Sequence, residues 1–470
     1  MGGLTATLAL FAFVPLAVLI FGRWPRAVAA SVVVLAGSLL LPEQVGFKLP
    51  VLPLLEKENV TYLGLLLGAL VHQSRAIQSA RPGTGPELLL VPIMLATIGT
   101  VLVNATAVWD EGRLEPALGG YDVVVKTVAE VFRLGLPFFL GRALFRTRDD
   151  LRVLLVMLGG AGIVYTVLIL IEVGLSLPFR VFQLSYVLYG FSAGVSYRWG
   201  VIQPIIFMEH GLSVATFMAA SLLAVVGLLK ARLPLFRLKV RLAWAFVYVG
   251  LVLSRNVAGI VYGTTLSAVI AFLSPKTIAR VAVTLALLVC TYPALRMYGL
   301  FPFEQILELA GRFDEERKRS LEGRFYEEEY VVELMEDRFL WGWGNISRVP
   351  GAEGLGGWEA GGYEGGLDGY WIIEFGVHGA LGLELRLVLL LLPVFVAWRT
   401  LGRLRSKKAQ ALLAALMAIV AMRCVDMLPN GWWNNLPVFL SGALYGLARN
   451  LGNERFEPSR EAAPRAIAPR

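Results

Sequence analysis

Apolar residues occur along this chain in runs of roughly 17–25 residues, separated by short polar connections. A helix of that length crosses about 30 Å of hydrocarbon. The pattern therefore predicts an all-α polytopic membrane protein with twelve or thirteen transmembrane helices. The candidate spans are 3–21, 27–42, 59–72, 87–104, 121–141, 152–173, 203–228, 238–253, 256–273, 280–298, 371–397, 410–427 and 434–449. The third run is short, so a re-entrant segment is the alternative there.

Composition agrees with this pattern. The chain has 470 residues, of which 57% are hydrophobic and 17% charged, and its mean hydropathy is +0.66. Soluble domains carry about a quarter of charged residues. No basic segment precedes the first run, so a retained helix is expected rather than a cleaved signal peptide. The net charge of +8 comes from short loops, and we do not expect nucleic-acid binding.

The basic residues fall in alternate connections, which read "RAIQSAR", "RALFRTRDDLR", "KARLPLFRLKVR" and "RTLGRLRSKK". Cytoplasmic loops are enriched in Lys and Arg, so these four are expected in the cytoplasm. The N-terminus is then outside with thirteen spans and inside with twelve. The predicted organisation is N-terminal transmembrane helices (1–298), a large extracytoplasmic acidic loop (299–370), C-terminal transmembrane helices (371–450) and a disordered cytoplasmic tail (451–470).

The large loop divides into two parts. Residues 303–339 have apolar positions at helical spacing and are predicted to be helical. The following "GWGNISRVPGAEGLGGWEAGGYEGG" is a glycine-rich loop.

Ionisable residues inside apolar runs are costly, so they should face a cavity or pair with one another. Lys126, Glu130 and Arg133 follow at spacings of four and three and share one helix face. They are either an ion-paired stripe that fixes helix packing or a cationic lining for an anionic substrate. Arg423 and Asp426 have the spacing of a structural pair.

Four further residues lie on or near the external side. Arg255 stands in a very short external turn, and its guanidinium suits phosphate binding, with snorkelling to the interface as the alternative. Arg324 lies among acids, where a solvated salt bridge is the alternative. Arg198 precedes an apolar run that carries His210, which is either a hydrogen-bonded packing residue or a substrate contact.

The segment "GLDGYWIIEFGVHGALG" (366–382) brings Asp368, Glu374 and His378 to the start of an apolar helix. Asp368 is a candidate general base, and a helix N-cap is the alternative. Glu374 and His378 are spaced i,i+4, can satisfy each other and are expected to tune or pack a polar cavity.

No metal or cofactor is predicted. The three histidines are scattered, and Cys290 and Cys424 both lie in apolar runs, so they suggest neither a metal site nor a disulfide framework.

These residues in this order resemble the O-antigen ligase and O-antigen polymerase superfamily of bacterial surface-polysaccharide enzymes. The features are an "SR" turn, one large external loop containing "GR" and "LWGWGN", and a helix reading Y-x-x-x-E-x-G-x-x-G. The resemblance covers roughly residues 120–400 and is best between 250 and 385. It implies the all-helical membrane glycosyltransferase class called GT-C, in the bacterial inner membrane, with an active site facing the periplasm or cell exterior.

The resemblance also implies a chemistry. Arg255 and Arg324 match the paired arginines that hold the pyrophosphate of an undecaprenyl-diphosphate-linked glycan donor, without a metal. Asp368-Gly369 stand where ligases carry His-Asn, and this departure favours a polymerase over a ligase. A polymerase transfers the donor glycan to a hydroxyl of an acceptor glycan, and a chain-length regulator or other polysaccharide-assembly proteins would be further partners. The alternatives are a ligase that modifies lipid A core or protein, and a flippase of lipid-linked sugars.

Overall fold

The computed structural model describes residues 3–43, 45–110, 113–191, 194–312, 315–349, 369–431 and 434–453, and every structural statement below refers to these residues. The helices are α1 (Leu4–Arg23), α2 (Arg26–Leu40), α3 (Lys57–His72), α4 (Ser74–Ala80), α5 (Leu90–Val103), α6 (Gly120–Glu130), α7 (Leu136–Leu144), α8 (Arg148–Phe179), α9 (Leu184–Tyr189), α10 (Gly211–Lys230), α11 (Val240–Leu253), α12 (Val257–Phe272), α13 (Pro275–Met297), α14 (Phe303–Gly311), α15 (Glu315–Leu334), α16 (Tyr370–Leu401), α17 (Lys407–Asp426) and α18 (Leu436–Asn453).

Short 3₁₀ turns and hairpins join these helices. The 3₁₀ turns are Pro86–Leu89, Glu336–Arg338 and Ile346–Arg348, and a π-helical turn, Val131–Gly135, joins α6 to α7. Three antiparallel two-stranded hairpins are β1 (Gly46–Phe47) with β2 (Leu55–Glu56), β3 (Val108–Asp110) with β4 (Arg113–Glu115), and β5 (Tyr197–Arg198) with β6 (Val201–Ile202).

The protein is a multi-pass membrane protein by the length and composition of its helices. Within the described chain, seven helical segments are long and apolar enough to cross a bilayer, and α2, α11 and α12 are shorter apolar helices. Large apolar side chains on the outside, such as Leu4 (75% exposed) and Phe272 (84% exposed), would face lipid. Each predicted span overlaps one helix, or α6 and α7 joined by the π turn.

Successive long helices run in opposite directions, so their connections fall at two ends of the molecule. At one end, which we call the basic end, Arg26 pairs with Asp150 at 2.7 Å and Arg142 pairs with Glu87. Arg146 at the same end donates to Ser79 Oγ at 2.6 Å. These contacts bring together two of the four predicted basic connections, "RAIQSAR" and "RALFRTRDDLR", and the start of α2.

The opposite end holds the other helix termini. Gly3 N, just before α1, donates to Tyr189 O at 3.2 Å, and Lys57 at the start of α3 pairs with Glu43 at 2.6 Å. The beginning of α1 therefore lies opposite the basic loops.

The centre of the bundle is formed by α10 and α17, whose apolar residues are almost all buried. Helix α17 is rich in alanine, and small side chains allow close helix packing in membranes. A Cβ on Gly227 of α10 would lie 2.6 Å from Ala415 Cβ of α17, so these helices approach closely at that point.

The seventh predicted span begins later than expected, at Gly211 rather than 203. Residues 203–210 are a non-helical segment because Pro204 offers no N–H and Ile206 adopts φ 60°. The helical region predicted over 303–339 is divided into α14, α15 and one 3₁₀ turn. Residues 451–453, predicted to begin the disordered tail, are instead the last residues of α18, and the rest of the predicted tail, from 454 onward, lies outside the described residues.

Candidate functional site

Helix α16, which is long and apolar enough to cross a bilayer, is interrupted inside its length. Gly379 has φ 67° and ψ −176°, a conformation essentially restricted to glycine, and it splits the helix after His378. The residues "FLWGWG" (339–344) pair with the backbone on both sides of this break. Ala380 N donates to Phe339 O and Trp343 N to Gly376 O, both at 2.8 Å. The glycine-rich loop thus satisfies backbone groups that lipid could not satisfy.

The close approach requires glycine in both segments. A Cβ on Gly342 (φ 71°) would lie 2.5 Å from Gly379 N and from Val377 O. A Cβ on Gly379 would lie 2.3 Å from the Leu340 carbonyl carbon and oxygen. The two glycine motifs that were noted separately in the sequence are therefore one packing unit.

Helices α5 and α6 hold this loop from its other side. Thr100 Oγ1 donates to Trp341 O at 2.5 Å, and Asn104 Nδ2 donates to Gly342 O at 2.8 Å. Lys126 Nζ donates to Gly344 O at 2.8 Å and to Asn345 Oδ1. Lys126 is thus a donor to the loop in this structure.

A buried ion network lies directly beside the break. Arg386, with no exposed surface, contacts Glu130 and lies 3.1 Å from Glu374 Oε2 through its Nε. Arg133 Nη2 lies 2.6 Å from Glu374 Oε1. His378 Nε2 stands between the two carboxylates, 3.7 Å from Glu130 and 3.6 Å from Glu374.

These positions bear on both interpretations of the predicted charged stripe. Two carboxylates balance the two arginines, and this is the pattern expected for packing. Arg133 nonetheless keeps 31% of its side chain exposed and stacks at 5.7 Å over Tyr370. It therefore connects the network to an accessible surface, where a substrate contact remains a prediction.

The predicted phosphate-binding Arg255 lies in the turn between α11 and α12. It has φ 54°, and its guanidinium donates to Ile202 O of the β5–β6 hairpin, which also carries Arg198. Gln203 Nε2 donates to Ser254 O at 3.1 Å and ties the hairpin to the same turn. Desolvation lowers the pKa of Arg255. The two arginines thus belong to one loop assembly.

Glu172 of α8 fixes that assembly. Its buried carboxylate accepts from Ile205 N at 2.8 Å, from Ile206 N at 3.0 Å and from Leu184 N at 2.9 Å. Nearby, His210 caps α10, since its Nδ1 accepts from Leu212 N at 3.1 Å. The packing alternative for His210 predicts a hydrogen bond of this kind, and a substrate contact by this residue remains a prediction.

Arg324 lies on α15 at the same end of the molecule. Its charge acts on Asp426, at the end of α17, and on Tyr262, in the second turn of α12. Arg255 precedes α12 by two residues. The beginning of α12 therefore lies close to Arg324 in space and directly follows Arg255 in the chain.

Asp426 is a buried carboxylate in this region. Asn430 Nδ2 donates to Asp426 Oδ1 at 3.0 Å, whereas Arg423 Nη1 is 4.0 Å from its Oδ2. The predicted pair is thus loose, and Asp426 also has Arg324 as an electrostatic neighbour.

Glu328 fastens α15 to the membrane helices. It lies one helical turn after Arg324, and its carboxylate accepts from Tyr292 OH (2.9 Å), Arg296 Nε (2.7 Å) and Trp371 Nε1 (2.8 Å). Desolvation raises the pKa of Glu328, while Trp371, Arg296 and Tyr292 oppose the shift. Glu328 therefore positions both Arg324 and the start of α16.

The predicted base, Asp368, lies outside the described residues. Four of the described residues were not predicted from the sequence to belong to the site: Arg386, Glu172, Glu328 and Asp426. For Arg386 and Glu172 a signal existed, because each is an ionisable residue inside an apolar run. Among the described residues, no group of three or more His, Cys, Asp or Glu is arranged to hold a metal ion.

Comparison of the sequence with known protein families and with curated proteins finds no match.

Proposed function

We propose that this protein is a GT-C-class polymerase of a bacterial surface polysaccharide. It would transfer glycan from undecaprenyl diphosphate to a hydroxyl of an acceptor glycan. The observation that carries the proposal is that Arg255 and Arg324 lie near the beginning of α12, at the end opposite the basic loops. That end would face the periplasm or cell exterior of the inner membrane.

The arginines would act on the leaving group. The bond between the anomeric carbon and the phosphate oxygen breaks, and its electron pair leaves with undecaprenyl diphosphate. Fixed guanidinium groups aimed at the growing negative charge stabilise the transition state more than the ground state. Glu172 and Glu328, which hold the two arginine-bearing segments, supply the preorganisation that such stabilisation needs.

The acceptor hydroxyl forms the new bond to the anomeric carbon and loses its proton to a general base. Asp368 is the base that the family resemblance suggests. Asp426 is a second candidate because it is buried and close to Arg324. Arg198, Lys126, Arg133, His210, Glu374 and His378 are proposed to bind or orient substrate around this centre.

The interrupted helix α16 favours one other class of function. Broken helices with unwound backbone at membrane depth are typical of transporters. A flippase of lipid-linked sugars is therefore the second candidate, and a ligase differs from the polymerase only in its acceptor.

The test compares Arg255→Ala and Arg324→Ala with Arg312→Ala, an arginine on the same external segment whose side chain is 69% exposed. We expect the first two variants to lose long-chain glycan while inserting into membranes normally, and Arg312→Ala to keep it. Full-length polymer from either of the first two variants would remove the pyrophosphate role.

The base is tested separately with Asp368→Asn and Asp426→Asn. The variant that removes the base should cut turnover with little change in donor binding. If Asp368→Asn is fully active, this residue is reduced to a helix cap. Full activity of both variants would remove carboxylate base catalysis from the proposal.

A further inference from the structure

A polar cavity of about 50 Å³ lies at the same end of the bundle as the arginine-bearing turn, between α2, α3, α10 and α17. Its wall includes Ser38 of α2, Glu58 of α3, Arg423 of α17 and, just before α10, Glu209. Glu43 also lines it but is paired with Lys57 at 2.6 Å. The cavity thus brings together the carboxyl groups of Glu58 and Glu209 and a guanidinium.

Several of these groups have hydrogen-bonding capacity left over. Ser38 Oγ and Arg423 Nη1 are buried atoms without a hydrogen-bond partner. Ser38 is 7% exposed and Arg423 is 6% exposed. Glu58 accepts one backbone N–H, from Asn435 at 2.9 Å, which leaves lone pairs unused. Buried polar groups of this kind usually have a partner, so a ligand with both donors and acceptors is indicated.

An apolar groove of about 280 Å³ adjoins this cavity on the lipid-facing side. It runs between α2 and α8, and Leu39 lines both the cavity and the groove. Its lining includes the small residues Ala36, Gly160 and Ala161, together with larger apolar side chains such as Phe236. A polar cavity beside an apolar groove is the shape of a site for an amphiphile.

We propose that the cavity and the groove together bind one phospholipid with an ethanolamine headgroup. Its primary ammonium lies between Glu58 and Glu209, its phosphate lies against Arg423, and one acyl chain fills the groove. The acyl chain needs no polar partner, since the groove is almost wholly apolar. The anionic diphosphate of a polyprenyl donor is disfavoured here because carboxylates outnumber the single arginine.

The rim of the cavity supports this choice of headgroup. The Glu209 side chain is exposed, but its carboxyl group is partly desolvated. This desolvation and the carboxylates of Glu43 and Glu56 raise the pKa of Glu209 to about 7, while Lys57 opposes the shift. An ammonium placed beside Glu209 would offset the repulsion between these acids.

The test is native mass spectrometry of the full chain with dioleoyl phosphatidylethanolamine, phosphatidylcholine and phosphatidylglycerol added singly. Phosphatidylcholine has the same charge but no N–H donors, and phosphatidylglycerol lacks the cation. We expect phosphatidylethanolamine to bind about tenfold more tightly than either, the factor given by one charge-assisted hydrogen bond. Equal affinity for the three lipids in the wild-type chain would overturn the proposal without any variant.

Two variants then locate the site. Ala161→Phe should fill the groove and weaken phosphatidylethanolamine binding, whereas Val167→Phe, on the exposed face of α8 outside the groove, should not. Glu58→Gln should remove most of the preference over phosphatidylglycerol. Unchanged binding in Ala161→Phe, or an unchanged preference in Glu58→Gln, would contradict the assignment.

Discussion

Replacing Gly379 by alanine tests whether the break in α16 and the glycine-rich loop form one unit. The native φ of 67° with ψ −176° costs a non-glycine residue about 1–3 kcal/mol. The new Cβ would also lie 2.3 Å from the Leu340 carbonyl, so the loop must move. Movement weakens the hydrogen bonds of Ala380 N to Phe339 O and Trp343 N to Gly376 O, each worth about 0.5–1.5 kcal/mol net. The total loss is about 2–6 kcal/mol.

Gly376→Ala is the matched control three residues earlier. Its Cβ would meet nothing closer than Val349 Cγ2 at 3.5 Å, an ordinary contact, and its backbone is helical. Alanine is favoured over glycine inside a helix by about 1 kcal/mol. The assay is the apparent melting temperature of both variants in one detergent at one heating rate, because such unfolding is commonly irreversible. We expect Gly379→Ala to melt well below wild type and Gly376→Ala at or above it. Equal melting of the two variants would refute the packing unit.

Three other predictions follow from single carboxylates. Glu328→Gln should keep the hydrogen bonds from its neutral partners but lose the ion pair. It should therefore lower polymer yield less than Arg324→Ala does, and a yield as low as that of Arg324→Ala would contradict a positioning role. Glu172→Ala removes the acceptor of three backbone N–H groups, of which the two buried ones cost about 1–3 kcal/mol each when unsatisfied. Amide exchange in 183–206 should therefore accelerate, and unchanged exchange would count against this role. Glu209 binds its proton more tightly in the folded protein, since its pKa is raised from 4.5 to about 7. The stabilisation from this proton is complete below pH 4.5 and is lost as the pH rises through 7. The melting temperature of wild type minus that of Glu209→Gln should therefore fall between pH 5 and 8, and a pH-independent difference would exclude this titration.

The transmembrane segments could be predicted from the sequence because hydrophobic run length determines them. Each predicted span has its helix, and the basic connections between them mark one end of the molecule. The late start of α10 could not be predicted by the same rule, since residues 203–210 are apolar enough to continue the run. Pro204 within this segment disfavours the helix locally, and a long-range contact holds the segment open, since the carboxylate of Glu172 accepts from the N–H groups of Ile205 and Ile206.

The candidate site was predictable only in its parts. Spacing placed Glu130 and Arg133 on one helix face, and the structure brings both to Glu374 or Arg386 of α16. Periodicity carries no information on the φ angle of Gly379, so the break in α16 was not expected. The proximity of Arg324 to Asp426 joins residues about a hundred positions apart, and no local pattern encodes it.

The central claim is glycosyl transfer from a polyprenyl-diphosphate donor by the arginine-bearing end of this protein. The most direct measurement gives the purified chain undecaprenyl-diphosphate-linked repeat units, without added metal, and separates the products by size. We expect a ladder of increasing length from wild type and none from Arg255→Ala or Arg324→Ala. Transfer seen only when a lipid A core or protein acceptor is supplied would identify a ligase. No product with any acceptor, together with movement of the lipid-linked sugar across reconstituted vesicles, would contradict the enzyme and establish a flippase.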